Sequence, residues 1–185
     1  MDEWIRPRRL LLDALYLGVL TARGVKPLSR IEYQVPTWAL DTLRGLGVSI
    51  EPVMRFAANG TGVSHLMLGT DAQRLARYRR EYGGTRLDDS APCVVRAQAR
   101  NFGYPACCAE AYIAHPYAQS GLLPEDQALL FHRACAGCVA SPRLLPAYRA
   151  ALAQAERLMA AFECSHGASQ ASRCSRTKAS SRRCG

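Results

Sequence analysis

At 185 residues, 49% hydrophobic and 21% charged, the chain is long enough for one domain with a sizeable core and has an ordinary globular composition. Its formal charge of +9 is unevenly placed: Arg173, Arg176, Lys178, Arg182 and Arg183 lie in an acid-free C-terminal stretch, so the body is only mildly basic. No run reaches the roughly 18 apolar residues of a membrane span, which excludes a helical membrane protein and leads us to expect a cytoplasmic setting, where cysteines serve more often as metal ligands or redox thiols than as disulfides.

Arg6-Pro-Arg-Arg9 followed by Leu10–Leu20 imitates a signal peptide, but Asp13 interrupts the apolar run and Asp2 and Glu3 precede it. Residues 8–22 read instead as a buried amphipathic helix, with Leu11, Leu12, Leu15, Val19 and Leu20 near helical spacing and Gly24 and Pro27 ending it. Residues 30–35 form a short strand candidate cut by Pro36, and 37–46 a second helix capped near Thr37. The strongest strand is 48–56, where Pro52 predicts an edge position or a bulge. Asn59-Gly60-Thr61-Gly62 is turn chemistry and 63–68 returns as a strand, so 48–68 reads as a hairpin. Gly60 and Gly62 do not make a phosphate loop, because no lysine and no helix follow them. A helix over 71–82 turns Leu75 and Tyr78 inward and Arg74, Arg77, Arg79 and Arg80 outward as a solvated face.

After Gly83-Gly84 the chain becomes helical and cysteine-bearing. A helix over 89–101 starts near Ser90 with Pro92 in its first turn; Pro105 opens another and Pro116 stops it. Pro124 with Glu125 and Asp126 starts a third, and Ser141-Pro142 begins a long last helix reaching about residue 162. The expectation is an α+β fold in one domain, 1–163. Its N-terminal half, 1–84, carries a small antiparallel sheet packed by helices, and 85–163 is the helical, cysteine-bearing half. The Ser/Arg/Ala/Gly-rich residues 164–185 read as a disordered basic tail.

Two segments carry chemistry. One supplies the adjacent thiols of Cys107 and Cys108; the other runs His132-x-x-Cys135-x-x-Cys138. A two-residue gap between thiols is the spacing of zinc ribbons and iron–sulfur proteins, since it lets both sulfurs face one metal across a tight turn, here around Gly137. A lone Cys-x-x-Cys can also be a redox motif, but no thioredoxin-like strand precedes this one. With Pro105 as the first helical residue, Cys107 and Cys108 fall third and fourth, where free N–H groups and the helix dipole favour the thiolate. Adjacent helical residues point about 100° apart, which makes a single tetrahedral ion awkward and tilts the expectation toward an iron–sulfur cluster over zinc.

Any one of these cysteines alone reads as a buried residue packing like a small apolar side chain; four together, two adjacent and two at ligand spacing, read as a site. Cys93 reads as core before site residue, and Cys164, Cys174 and Cys184 of the tail are not placed in the site. Glu110, His115 and Tyr104 lie close to the pair, with Glu110 a solvent-facing carboxylate or a general acid–base group.

Gly103-Tyr104-Pro105-Ala106-Cys107-Cys108-Ala109-Glu110-Ala111-Tyr112 resembles the Gly-Tyr-Pro-x-Cys-Cys signature of an uncharacterised, largely archaeal family of domain-of-unknown-function proteins. The His132/Cys135/Cys138 segment and Ser141-Pro142 are similar to the same pattern, so the resemblance spans about residues 85–150. It implies that Cys107, Cys108, Cys135 and Cys138 act as one unit.

The function expected is a cytoplasmic metal-binding protein whose Cys107, Cys108, Cys135 and Cys138 hold an iron–sulfur cluster or zinc, with His132 as a possible further ligand. The rivals are a metal-free thiol enzyme or redox protein using the Cys107/Cys108 pair, and a non-enzymatic module binding nucleic acid through the basic tail.

Overall fold

The structure is a computed structural model that describes the backbone of residues 5–87 and 90–179 and the side chains of residues 8–87 and 90–165. The chain runs α1 (Ile5–Ala22), β1 (Leu28–Ile31), α2 (Thr37–Gly45), β2 (Ser49–Phe56), β3 (Gly62–Gly69), α3 (Ala72–Tyr82), α4 (Pro92–Phe102), α5 (Ala106–Ala114), α6 (Pro124–Gln127) and α7 (Ala140–Ala179). It is the α+β arrangement expected: one antiparallel sheet in the order β1-β3-β2, covered by helices.

The register explains the layering. β3 pairs Leu28↔Gly69 through Ile31↔Leu66 with β1, and Ser49↔Gly69 through Phe56↔Gly62 with β2. Side chains alternate across a strand, so Leu66 and Leu68 face one core while Met67 faces another. The first core joins that sheet face to α1, α2 and α7 through Leu15, Val19, Leu43, Tyr148 and Ala155, and Trp38 stacks on Phe162 with ring centroids 3.6 Å apart. The second joins Leu28, Val53 and Met67 to Leu75, Tyr78 and Tyr82 of α3 and Phe102 of α4. The sheet therefore lies between two helical layers. Pro52 sits on an edge strand, where its missing donor costs no ladder bond.

Three details depart from expectation. β1 begins at Leu28, earlier than residue 30, because fully buried Leu28 pairs with Gly69 of the central strand. Thr37 is the first helical residue of α2 and not its cap; extended Pro36 takes the cap position without a side-chain bond. Pro105 likewise caps α5 in extended conformation (ψ 135°), so Cys107 and Cys108 are its second and third residues. Elsewhere the caps follow sequence: Asp71 accepts from Gln73 N and Arg74 N, and Asn59 Oδ1 accepts from Thr61 N in the hairpin turn. Arg74, Arg77, Arg79 and Arg80 are exposed, as a solvated face requires.

No helix among the described residues is long and apolar enough to cross a membrane. α7 is assigned to Ala179, past the expected end near residue 162. The rest of the expected tail, with the side chains of Arg173, Cys174, Lys178 and Cys184, lies outside the described residues.

Candidate metal centre

The Gly103-Tyr104-Pro105 joint aims α5 at the site. Gly103 ends α4 in the left-handed region (φ 72°), with Tyr104 N donating to Ala99 O at 2.8 Å. A Cβ on Gly103 would also lie 2.7 Å from Pro27 Cδ, so glycine lets the α1–β1 loop close over the joint. Pro105 then starts α5, whose first turn carries Cys107 and Cys108.

The second pair comes from a turn. Cys138 N donates to Cys135 O at 3.1 Å across Gly137, whose φ is 69°. Directly after it α7 begins, and the buried Ser141 donates its backbone N–H to Cys138 Sγ at 3.3 Å. Cys135 N donates to Cys108 Sγ at 3.4 Å. Two helix N-termini, of α5 and α7, thus converge on the sulfurs with their positive ends and unpaired amides, an arrangement that favours negative charge.

All four sulfurs lie within 4.8 Å of one another, and they could hold a metal ion. The closer separations are 4.0 Å for Cys107–Cys108, 3.6 Å for Cys107–Cys138, 3.8 Å for Cys108–Cys135 and 3.5 Å for Cys108–Cys138. Adjacent positions on the helix therefore do converge, contrary to the awkwardness expected of them. Cys107 is exposed, Cys108 buried, and Cys135 and Cys138 half-buried.

The thiol chemistry differs from the helix-dipole expectation. Burial and the neighbouring sulfurs push Cys107 above the ordinary thiol value, and burial takes Cys108 up to about 12 despite the amide of Cys135. Burial also opposes ionisation of Cys138. There the hydroxyl and amide of Ser141, with Cys108 and the Ala140 amide, win and bring it down to about 6. The anionic sulfur is at the start of α7. Four thiols this close cannot all ionise by themselves, because each thiolate raises the next. A divalent cation removes that obstacle.

His132 stands behind the sulfurs and not among them: the four-sulfur group does not include it, and its Nε2 lies 2.9 Å from Ser141 Oγ. Ser141 Oγ is in turn 3.3 Å from Cys138 Sγ and 3.6 Å from Cys108 Sγ. Burial, helped by the charge of Lys26, holds the imidazole down at about 4, so it is neutral near pH 7. Ser141 links it to two thiols, the kind of outer partner that orients ligands.

The segment between α5 and α7 is otherwise held by a few polar bonds. Gln127 donates to His132 O at 2.8 Å and its Oε1 accepts from Ser120 Oγ at 2.6 Å and from Ala134 N at 3.0 Å. Gly121 presses on the knuckle itself: a Cβ there would lie 2.3 Å from Cys135 O. Gln127, Ser120 and Gly121 each work through a loop geometry that no local sequence pattern announces, and Ser141, which the sequence marks as the start of the last helix, also bonds to the site.

The remaining candidates fall away from the sulfurs. Glu110 makes a two-pronged ion pair with Arg96 at 2.7 and 2.8 Å on the surface, joining α5 to α4, which is the solvent-facing alternative. Cys93 is exposed, where core was expected, because it sits in the outer first turn of α4; Cys164 is exposed as well, and neither joins the group. Tyr104 packs at 5.2 Å from the His132 ring. Compared with family models, curated proteins and solved structures, the chain shows no match.

Proposed function

We propose that the chain is a cytoplasmic metal-binding protein in which Cys107, Cys108, Cys135 and Cys138 hold a single tetrahedral ion, zinc before iron, in a site that locks the α5–α7 segment to the domain. The observation that carries this reading is the sulfur spacing. Around one zinc at about 2.3 Å, tetrahedral geometry places sulfurs about 3.8 Å apart, and the four closer separations run from 3.5 to 4.0 Å. In a cluster each thiolate caps its own iron, or shares one with a single partner, so some sulfurs stand much farther apart. The single-ion site is therefore favoured over the cluster to which the adjacent cysteines first pointed. With four protein ligands it is closed, the pattern of structural rather than catalytic zinc.

Binding would release protons from the thiols, among them Cys107 and Cys108, which burial keeps protonated near neutrality, so affinity rises with pH. His132, neutral and within hydrogen-bond distance of Ser141, serves in this reading as an outer support and not as the possible further ligand.

The test is anaerobic purification with metal analysis and cobalt substitution. About one zinc or iron per chain, with cobalt giving the visible bands of tetrahedral thiolate coordination, supports the reading. Inorganic sulfide with several irons per chain would return it to the cluster. A well-folded chain free of metal, whose Cys107 or Cys108 reacts as a thiolate or which cycles that pair as a redox couple, would favour the metal-free thiol alternative.

A further inference from the structure

Beside the metal centre lies a cavity of about 380 Å³, within the range of small-ligand pockets. It is bounded by the loop into β1, α4, α5 and residues 131–133, and its wall includes Cys108 and His132. Its surface is mainly apolar and aromatic, from Phe102, Tyr104 and Phe131, with Gln98 as a neutral polar side chain.

The unusual member is Lys26. It is 1% exposed, and its Nζ donates to Phe102 O at 2.9 Å and lies 4.4 Å from the centre of the Tyr104 ring. Among the described residues it has no ion pair. A buried ammonium with one carbonyl acceptor and aromatic faces, but no counter-ion, keeps donor capacity and uncompensated charge. Burial accordingly brings its pKa down to about 7. The two other cations of the wall are already engaged: Arg30 pairs with Glu32 at 2.8 Å, and Arg133 donates to Ala118 O.

We propose that this cavity binds a small monocarboxylic acid with an apolar or aromatic body, its carboxylate supplying the missing counter-ion to Lys26 and its body lying against Phe102, Tyr104 and Phe131. One uncompensated buried cation matches a single negative charge, which favours a carboxylate over a phosphate dianion. The polar end and the apolar walls together set the class of ligand. Charge-assisted bonds in a dry site are strong, and a neutral isostere that cannot pair with the ammonium forfeits them.

The experiment is calorimetric titration of the intact, metal-loaded protein with benzoate and with benzamide, repeated on Lys26→Met. The expected result is saturable benzoate binding, benzamide weaker by about tenfold or more, and benzoate affinity reduced to the benzamide level in the variant. Equal affinity for the two probes, or no benzoate binding by the wild-type protein, overturns the proposal. So does unchanged binding in Lys26→Met. The two-probe comparison needs no variant, so it decides the matter even where Lys26→Met fails to fold. Metal content is measured on the same samples, which separates failure here from failure of the zinc reading.

Discussion

The sheet with α1, α2 and α7 and the stretch from residue 115 to residue 139 are held together by different forces. The first buries Leu15, Val19, Leu20, Leu43 and Leu68 completely, and its ladder bonds run the length of β3. The second contains one regular element, the four-residue α6, and its buried apolar side chains are few: Leu130 and Ala134. A stretch that long with so little secondary structure needs another source of order. Gln127, Gly121 and, on our reading, an ion between the cysteines supply it. Burial folds the first region; the second rests on the same core only at its edge, and on our reading coordination fixes the rest.

The largest expected effect is on the second region alone. Cys108→Ser removes the ligand that lies within 4.0 Å of all three other sulfurs. Structural zinc contributes on the order of 10 kcal/mol to such sites, so the variant should purify without metal and expose residues 115–139 to protease, while far-ultraviolet circular dichroism retains the helical signal of the core. Leu43→Ala is the reciprocal change. It empties a fully buried site that packs on Gly18, and should lower global stability by about 2–5 kcal/mol with metal stoichiometry intact in chemical denaturation.

Gln127→Ala strips three hydrogen bonds from the loop and leaves Ala134 N without its partner. A loss of about 1–3 kcal/mol is expected, seen first as faster transfer of metal to a chelator. The last effect is a slope and not a single loss. Lys26 titrates near 7 in the folded chain and near 10.5 unfolded, so between those values the unfolded state holds more protons and stability rises with pH. Lys26→Met should remove up to about 1.4 kcal/mol per pH unit of that rise, measured as the difference in urea midpoint between variant and parent from pH 7 to pH 10.

Much of this division is legible in the sequence. The strand run before the Asn59-Gly60-Thr61-Gly62 turn and its return found β2 and β3, helical spacing found α1 and α3, and proline placed the starts of α4, α5 and α7 close to where they stand. Such signals are local. The pairing of β1 with β3, across Leu28↔Gly69, depends on residues far apart in the chain, and there the strand boundary was missed. At the site, the four sulfurs were visible because ligand spacing is itself a pattern. That adjacent Cys107 and Cys108 can serve one ion was not, because it depends on the direction from which the Cys135 turn arrives. The position of the lowered thiol was not legible either: burial keeps Cys107 and Cys108 high at the start of α5, while hydrogen bonds from Ser141 bring down Cys138 in the turn before α7. Lys26 left a faint trace, as one of only two lysines, with Lys178, in a chain that otherwise uses arginine.

The most direct test is amide hydrogen exchange on the metal-loaded protein and on the same protein stripped by chelator under reducing conditions. The account predicts that protection collapses across residues 115–139 and the first turn of α5, while β3, α1 and residues 144–159 of α7 keep theirs. Equal protection in both states, or a uniform loss through the sheet and α1, would contradict the claim that an ion held by Cys107, Cys108, Cys135 and Cys138 orders this region and burial orders the rest.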